Sequence, residues 1–179
     1  MQEPIETEIK LRVPSVEAAQ KKLARLGAKL LAPRHFEDNI VWDDAHRSLS
    51  STGKVLRLRR TPRGSILTYK GPRIVEAGMK SRPELEAPVI EPDRFEAILG
   101  ALGFKPIFRY QKYREAYLLG GAAVVIDDTP VGVFYEVEGD PDAIRSVATA
   151  LGYSAGDFIS DSYGALFAAS GGRGDMVFP

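Results

Sequence analysis

Cysteine is absent from the 179-residue sequence, and histidine occurs only twice. The lack of cysteine excludes disulfides, thiolate metal ligands and cysteine nucleophiles, and it fits a reducing compartment. His35 and His46 do not stand at a metal-ligand spacing, so we interpret both as ordinary surface or packing residues. Chemistry based on a thiol or on a Ser-His-Asp set is therefore not indicated.

The sequence also lacks net charge and long apolar runs. Its 24 basic residues balance 24 acidic residues, which argues against general attraction to nucleic acid or to an anionic membrane. No apolar run approaches the roughly 18 residues of a membrane-spanning helix, and the start Met1-Gln2-Glu3-Pro4 does not resemble a signal peptide. We therefore expect a cytoplasmic protein without a membrane partner, in which any anion is bound by local placement of charge.

Length and composition predict one domain. A chain of 179 residues with 44% hydrophobic and 27% charged residues is long enough to bury a substantial core. We expect this domain to occupy residues 1–170. The glycine-rich residues 171–179 are predicted to form a flexible C-terminal tail.

Alternating apolar and polar residues predict eight strands and several helices. The strands are expected near residues 4–13, 35–43, 54–62, 65–70, 84–90, 107–118, 122–128 and 132–138. Helices are predicted near residues 15–27, 92–103 and 140–152, since each stretch has a proline and a capping Ser or Asp at its start and Leu-Gly at its end. A fourth short helix is predicted over 161–169. The pattern predicts helices that pack on one face of an antiparallel sheet, either open or closed into a barrel.

Charged side chains occupy every second position on most of these strands. The first strand carries Glu6, Glu8 and Lys10 on one face. The same face of later strands collects Arg57, Arg59, Lys70, Glu84, Glu86, Lys112, Arg114, Glu136 and Glu138. Arg60 and Arg109 are out of phase and are interpreted as surface residues. For one strand pair, simple exposure to water explains the charges, whereas all the strands together favour a face that curls inward to form a tunnel.

Several segments, taken in order, resemble the CYTH superfamily, the triphosphate tunnel metalloenzymes. The ExExK signature of that family is similar to residues 6–10, its LRxR strand to 56–59 and its RxExE segment to 82–86. Further similar segments are 36–43, 67–72, 112–114, 125–128, 134–139 and Ser162-Tyr163. Trp42 stands where many relatives carry Tyr or Phe, a change that would alter the tunnel mouth or its packing.

The resemblance covers about residues 5–167 and implies both a fold and a ligand. The fold it implies is α+β, an eight-stranded antiparallel β-barrel with helices packed outside. The ligand it implies is a small-molecule triphosphate bound inside the barrel with Mg²⁺ or Mn²⁺. An RNA 5′-triphosphate end is the single nucleic-acid partner that the family suggests, and a monomer and a homodimer both remain open.

Site residues follow from the charge pattern and the resemblance together. The predicted metal ligands are Glu6, Glu8, Glu136 and Glu138, with Asp127 as a further ligand or as a residue that orients the ligands. The predicted triphosphate-binding residues are Lys10, Arg57, Arg59, Lys70, Lys112 and Arg114. The predicted catalytic residues are Lys112 and Arg114, which would neutralise developing charge, and Glu84 and Glu86. Orienting water, holding a second metal and tethering the cations all remain open as roles for these two glutamates.

Three functions fit the same tunnel. The first is a metal-dependent phosphohydrolase acting on inorganic triphosphate, a nucleoside triphosphate or thiamine triphosphate. The second is an adenylyl cyclase of the class IV type, which makes cyclic AMP and pyrophosphate from ATP. The third is a non-catalytic module that binds polyphosphate or a nucleotide. The sequence shows no base-reading signature, which favours hydrolysis.

Overall fold

The computed structural model describes residues 5–179, and within that range it contains nine strands and four α-helices. The strands are β1 (Ile5–Val13), β2 (Lys29–Asp43), β3 (Val55–Thr61), β4 (Gly64–Lys70), β5 (Ile74–Glu76), β6 (Met79–Val89), β7 (Lys105–Leu119), β8 (Ala122–Thr129) and β9 (Gly132–Glu138). The helices are α1 (Val16–Arg25), α2 (Pro92–Ala101), α3 (Pro141–Leu151) and α4 (Tyr163–Ala169). None of the helices in residues 5–179 combines the length and the apolar character needed to cross a bilayer.

Eight of the strands close into an antiparallel barrel. They follow the order β1-β9-β8-β7-β2-β3-β4-β6, and β6 then pairs with β1. The closing pair aligns Glu6 with Arg82 and Glu8 with Lys80. The expected α+β fold, an eight-stranded antiparallel barrel with helices packed outside, is therefore confirmed.

Strand boundaries differ from the sequence prediction at three places. β2 begins at Lys29 and not at residue 35, and its pairing with β7 is irregular between Ala32 and His35, where Pro33 has no backbone N–H to donate. β6 begins at Met79 and not at residue 84, since its first half pairs with β1 in spite of Pro83. The short β5 was not predicted, and it adds to β6 beside the barrel.

The larger part of the apolar core lies outside the barrel wall, between the strands and the helices. Its largest cluster joins Ile9 and Leu11 of β1 with Val124 of β8, Leu23 of α1 and Ile144 of α3, all fully buried. These strand residues alternate with the charged positions, so the same pleat that fills this core sends charge to the other side of the wall.

Trp42 belongs to a second apolar cluster on the outside of the barrel. Its side chain is buried against Leu58 of β3 and Leu99 of α2, with Phe95 packed beside them. Trp42 does not line the interior cavity, so its bulk is accommodated by packing outside the barrel.

Side-chain caps fix the beginning of three helices. Ser15 Oγ accepts from the Ala18 N–H of α1 at 3.2 Å, Asp140 Oδ1 accepts from the Asp142 N–H of α3 at 2.9 Å, and Ser162 Oγ accepts from the Ala165 N–H of α4 at 3.2 Å. Such caps satisfy backbone donors that have no partner within the helix.

The C-terminal residues include a segment that packs against β7. Asp175 Oδ1 accepts a hydrogen bond of 2.8 Å from the Arg109 backbone N–H, Met176 is fully buried, and the Phe178 ring lies 5.4 Å from that of Tyr113. The flexibility predicted for residues 171–179 stays a prediction, and these docked residues are the part of the segment with least freedom to move.

Candidate active site

The barrel encloses a cavity of about 450 Å³ whose wall is lined by charged side chains. Alternation along each strand sends these side chains inward, while their neighbours face the helices. The charged lining residues are Glu6, Glu8, Lys10, Arg57, Arg59, Lys70, Lys80, Arg82, Glu84, Glu86, Lys112, Arg114, Glu136 and Glu138. Every residue predicted for the site lies in this wall, except Asp127.

Lysines neutralise two of the acids on β1 and β9. Lys10 Nζ lies 3.0 Å from Glu8 Oε1 and 3.0 Å from Glu136 Oε1, and Lys80 also contacts Glu8. Burial alone would raise the pKa of Glu8, but the ammonium groups of Lys10 and Lys80 hold that pKa at about 2. Cations lower the pKa of Glu136 in the same way, against the effect of its burial. Both carboxylates are therefore ionised and paired.

Asp127 is on the inward face of β8, buried beneath the side chains that line the cavity, and it holds two of the predicted phosphate-binding cations. It is fully buried, and it accepts from Lys112 Nζ at 2.8 Å and from Arg114 Nε and Nη2 at 2.7 and 2.6 Å. The Tyr163 hydroxyl donates to the same carboxylate at 2.8 Å. With four donors directed at its two oxygens, Asp127 has the environment of a group that orients Lys112 and Arg114.

Arg57 is held in one orientation by two hydroxyl groups and by the Glu86 carboxylate, whose Oε1 lies 3.5 Å from Arg57 Nη2. Its guanidinium donates to the Tyr110 hydroxyl at 3.2 Å and to Thr68 Oγ1 at 3.0 Å. Glu84 Oε1 lies 3.8 Å from the same group. The arginine is buried, so these contacts fix the plane that it presents to the cavity.

The two glutamates of β6 tether cations in this structure. Glu84 pairs with Lys70, and Glu86 Oε1 lies 3.1 Å from Arg59 Nη2. Thr68 also donates to Glu86 at 2.8 Å. Tethering is thus the one of the three roles considered for this pair that the contacts display directly.

Glu6 and Glu138 occupy the part of the cavity where negative charge is in excess. Burial, a hydrogen bond with Glu84 and the charge of Glu138 raise the pKa of Glu6 to about 8. Burial and the neighbouring Glu8 and Glu136 raise the pKa of Glu138. A cation bound beside these two acids would therefore stabilise their ionised forms, whereas Glu8 already has cationic partners.

Sequence reasoning gave no role to Lys80, Arg82, Tyr110 and Tyr163, which also line the cavity. Lys80 is buried, and burial followed by the charge of Lys10 lowers its pKa. Arg82 Nε donates to the Gly71 carbonyl at 2.9 Å and so ties β6 to the end of β4. Extending the alternation backwards from Glu84 would have found both basic residues.

The two arginines interpreted as out of phase lie outside the cavity. Arg60 binds Asp93 and Glu96 of α2, at 2.7 and 2.6 Å. Arg109 Nη2 lies 2.6 Å from Asp38 Oδ2. The phase of the strands therefore separates interior from exterior basic residues correctly on β3 and β7.

The CYTH domain family matches residues 4–163 of the sequence. The chain belongs to the CYTH domain family. The matched range includes all nine strands described above and ends at Tyr163, the first residue of α4.

Proteins similar to this CYTH protein carry names or descriptions of two activities, adenylate cyclase and triphosphatase. It is 31% identical over 135 residues to a Methanocaldococcus jannaschii protein with a provisional adenylate cyclase name, an alignment that covers 75% of this chain and 76% of that protein. A Hippeastrum structure, described as a provisional adenylyl cyclase with a dominant triphosphatase activity, superimposes with a TM-score of 0.71 at 21% identity and covers 94% of this chain and 97% of its own.

A Vibrio parahaemolyticus structure, of a protein also provisionally named an adenylate cyclase, shows the same fold. It superimposes with a TM-score of 0.79 at 23% identity and covers 93% of this chain and 99% of its own. At such identities the two solved structures show a shared fold, so activity must be argued from the residues of this chain.

Proposed function

We propose that this CYTH protein is a metal-dependent phosphohydrolase that cleaves a triphosphate inside its barrel. One observation carries the proposal: cations and carboxylates from strands all around the barrel face a single enclosed cavity. The contacts of Lys10 with Glu8 and Glu136, both 3.0 Å, are of the kind that phosphate oxygens would replace on the lysine. A buried cation keeps a partner in this way both before and after the ligand binds.

Basic residues of four strands, β1, β3, β4 and β7, would hold the phosphate oxygens. The six are Lys10, Arg57, Arg59, Lys70, Lys112 and Arg114. The arginines offer pairs of N–H donors with fixed geometry. Because Tyr110 and Thr68 already hold the guanidinium of Arg57, this donor would meet the ligand with little loss of conformational freedom.

Mg²⁺ or Mn²⁺ would bind on the carboxylate side of the cavity. No three His, Asp or Glu side chains in residues 5–179 are close enough together to hold a metal ion by themselves. This fits Mg²⁺, which commonly takes one or two carboxylates and completes its octahedral shell with phosphate oxygens and water. Glu6 and Glu138 fit best as first ligands, because burial and neighbouring carboxylates raise the pKa of both.

Of the other predicted ligands, Glu8 and Glu136 would first have to exchange their lysine partners, and Asp127 would act by orienting Lys112 and Arg114. When bound, the ion would neutralise phosphate charge and orient the substrate.

The chain's own residues would then stabilise the charge that develops during hydrolysis. Water attacks the terminal phosphorus, and the bond from that phosphorus to its bridging oxygen breaks with its electron pair remaining on that oxygen. The shortened phosphate chain is the leaving group, the attacked phosphoryl group becomes orthophosphate, and the proton lost by the water passes to solvent. Lys112 and Arg114 would stabilise the charge on the transferring group, since positioning and electrostatics supply most of the catalysis in phosphoryl transfer. One of the two β6 carboxylates, Glu84 or Glu86, would orient the water.

Cyclisation of ATP is the second candidate, and an uncharged part of the cavity wall favours it. Val41, Val55, Ile107 and Phe108 line the cavity together with the charged residues. Val41 is the cross-strand partner of Phe108 on one side and of Arg57 on the other. An organic group joined to a triphosphate would find apolar contact there, next to a phosphate-binding arginine. The name of the Methanocaldococcus relative agrees with this alternative.

One set of assays separates the candidate functions. The protein is incubated with tripolyphosphate, ATP or thiamine triphosphate, with Mg²⁺ or with Mn²⁺, and orthophosphate, pyrophosphate and cyclic AMP are measured. Release of orthophosphate supports the hydrolase. Cyclic AMP with an equal amount of pyrophosphate supports the cyclase and overturns the proposal, and binding without turnover supports a non-catalytic module.

A pair of neighbouring arginines tests the location of the chemistry. Arg59→Met removes an interior donor and should lower kcat/KM by about 100-fold, as the loss of one preorganised donor does in other enzymes. Arg60→Met removes the next residue, whose charge is held outside by α2, and should leave kcat/KM within about twofold because exterior ion pairs contribute little. Equal losses in both variants would place the chemistry elsewhere.

A further inference from the structure

Tyr163 is the point at which a helix outside the barrel enters the wall of the cavity. It is the first residue of α4, its side chain is buried, and it lines the cavity. The cap from Ser162 to the Ala165 N–H fixes the first turn of α4, and therefore the direction in which the tyrosine leaves the helix. The ring packs edge-on against Phe134, with centroids 5.5 Å apart.

The Tyr163 hydroxyl completes the environment of Asp127. It donates to Asp127 Oδ2 at 2.8 Å, and the same oxygen accepts from Lys112 at 2.8 Å and from Arg114 at 2.6 Å. Burial and the charge of Asp127 raise the pKa of Tyr163 well above its ordinary value, so the hydroxyl remains a donor at every physiological pH.

The ring of Tyr163 contacts two of the predicted phosphate-binding lysines. Lys10 Nζ and Lys112 Nζ each lie 5.2 Å from the ring centroid, within the range of a cation–π interaction. The two lysines come from β1 and β7, and Asp127 comes from β8. One side chain thus touches functional groups on three different strands.

We propose that Tyr163 is a positioning residue that holds Lys10, Lys112 and Asp127 in the arrangement that receives phosphate. The hydroxyl takes up part of the charge of Asp127, so this carboxylate competes less with phosphate for Lys112 and Arg114. The ring keeps the two ammonium groups on the cavity wall. The inference rests on the proposed function in one respect, that the anion in the cavity is a triphosphate, and it makes α4 a part of the site.

Binding of tripolyphosphate tests the inference apart from turnover. The dissociation constant is measured by calorimetry without divalent metal, so that the ligand is not hydrolysed during the titration, for the wild type and for two variants, Tyr163→Phe and Tyr163→Leu. The phenylalanine keeps the ring and should weaken binding about threefold, whereas the leucine loses ring and hydroxyl and should weaken it at least about tenfold, given the strength of hydrogen bonds and cation–π contacts to charged groups. In turnover, KM should rise by more than kcat falls.

Tyr153→Phe is the matched control. The Tyr153 hydroxyl also donates one hydrogen bond, to the Arg12 carbonyl at 2.9 Å, but Tyr153 does not line the cavity. The Tyr153→Phe variant should therefore bind tripolyphosphate with the affinity of the wild type. Thermal melting shows whether each variant is folded. If Tyr163→Leu does not fold, the dissociation constant of Tyr163→Phe alone tests the inference. An unchanged dissociation constant in Tyr163→Phe, or equal losses in Tyr163→Phe and Tyr153→Phe, would overturn the inference.

The two proposals fail separately. A wild type that binds tripolyphosphate without turnover overturns the proposed hydrolase, and weaker binding by the Tyr163 variants would still support the positioning role. A wild type that hydrolyses the ligand, with Tyr163 variants that bind it equally well, overturns the positioning role alone. A wild type that binds no triphosphate overturns both.

Discussion

At the scale of single residues, the partner of each acid decides its charge. Glu6 and Glu8 are two positions apart on the same face of β1, yet their pKa values differ widely. Ammonium groups beside Glu8 hold its pKa at about 2 despite burial, whereas burial and neighbouring carboxylates raise that of Glu6 to about 8. The sequence alone shows two similar glutamates, because the difference arises from strands that are distant along the chain.

Replacing Glu6 by Gln should stabilise the protein at high pH. The folded state holds the pKa of Glu6 at about 8, above its ordinary value of 4.5, so it favours the protonated form. This contribution is fully present below pH 4.5 and is lost as the pH rises through 8. Glutamine mimics the protonated acid, and Glu6→Gln should therefore melt at a higher temperature than the wild type at pH 8.5 and at the same temperature at pH 4.

Glu76→Gln, at an exposed position on β5, is the control for this comparison. It should shift the melting temperature equally little at both pH values. A Glu6→Gln variant whose difference from the wild type is the same at pH 4 and pH 8.5 would contradict the raised pKa.

Asp127 and Asp128 provide a second test at neighbouring positions. Asp127→Asn removes the more buried of the two carboxylates that Lys112 and Arg114 share, the other being Glu136, and breaking a buried pair in this way costs about 3–5 kcal/mol. Asp128 pairs with the half-exposed Arg34 at 2.8 Å, so Asp128→Asn should cost about 0–1 kcal/mol. Chemical denaturation measures both values, and equal costs would show that Asp127 has no special role in the wall.

At the scale of elements, alternation explains why so much of the site could be predicted. On β3, β6, β7 and β9 the period of two separates interior from exterior side chains, and the residues selected in this way line one cavity. Lys80 was missed because the predicted strand began at residue 84, whereas β6 begins at Met79. Tyr163 was not predicted as a site residue because it stands on a helix, where no strand period applies. Its place in the cavity wall depends on tertiary packing.

Replacing Met176 tests how much the packing of the C-terminal segment contributes to the free energy of unfolding. Its side chain is fully buried, and its backbone carbonyl accepts from the Gln111 N–H at 2.9 Å. Met176→Ala should lower the free energy of unfolding by about 2–5 kcal/mol, as other buried Met→Ala changes do. The partly exposed Val177 is the neighbouring control, and Val177→Ala should stay within about 0.5 kcal/mol. A negligible effect of Met176→Ala would support the flexible tail that the sequence predicts.

At the scale of the whole molecule, zero net charge hides a strong internal separation of charge. The balance of 24 basic and 24 acidic residues says nothing about where they stand, and a large part of them faces the cavity. The sequence indicated this arrangement through strand phase and the ordered family segments. It left closure of the barrel open, since the pairing of β1 with β6 joins segments about 75 residues apart.

Ligand binding should stabilise the molecule as a whole, because the ligand would bridge strands that meet only in the folded barrel. Tripolyphosphate with Mg²⁺ at about 100 times its dissociation constant should add about 2.7 kcal/mol to the free energy of unfolding. The same concentration should stabilise Arg59→Met less, because its affinity is lower. Equal stabilisation of both proteins, measured by denaturation, would contradict binding inside the barrel.

The position of the apolar core outside the barrel has a consequence for how such proteins diversify. Most apolar contacts join the outer faces of the strands to the helices, so the lumen carries less of the task of holding the chain together. Lining groups that are partly exposed, such as Glu86, can be exchanged at a modest penalty while the scaffold persists, whereas the buried partner of the cations, Asp127, cannot. Under the proposed function, a change of preferred ligand is therefore accessible to evolution through few substitutions at those exposed lining positions.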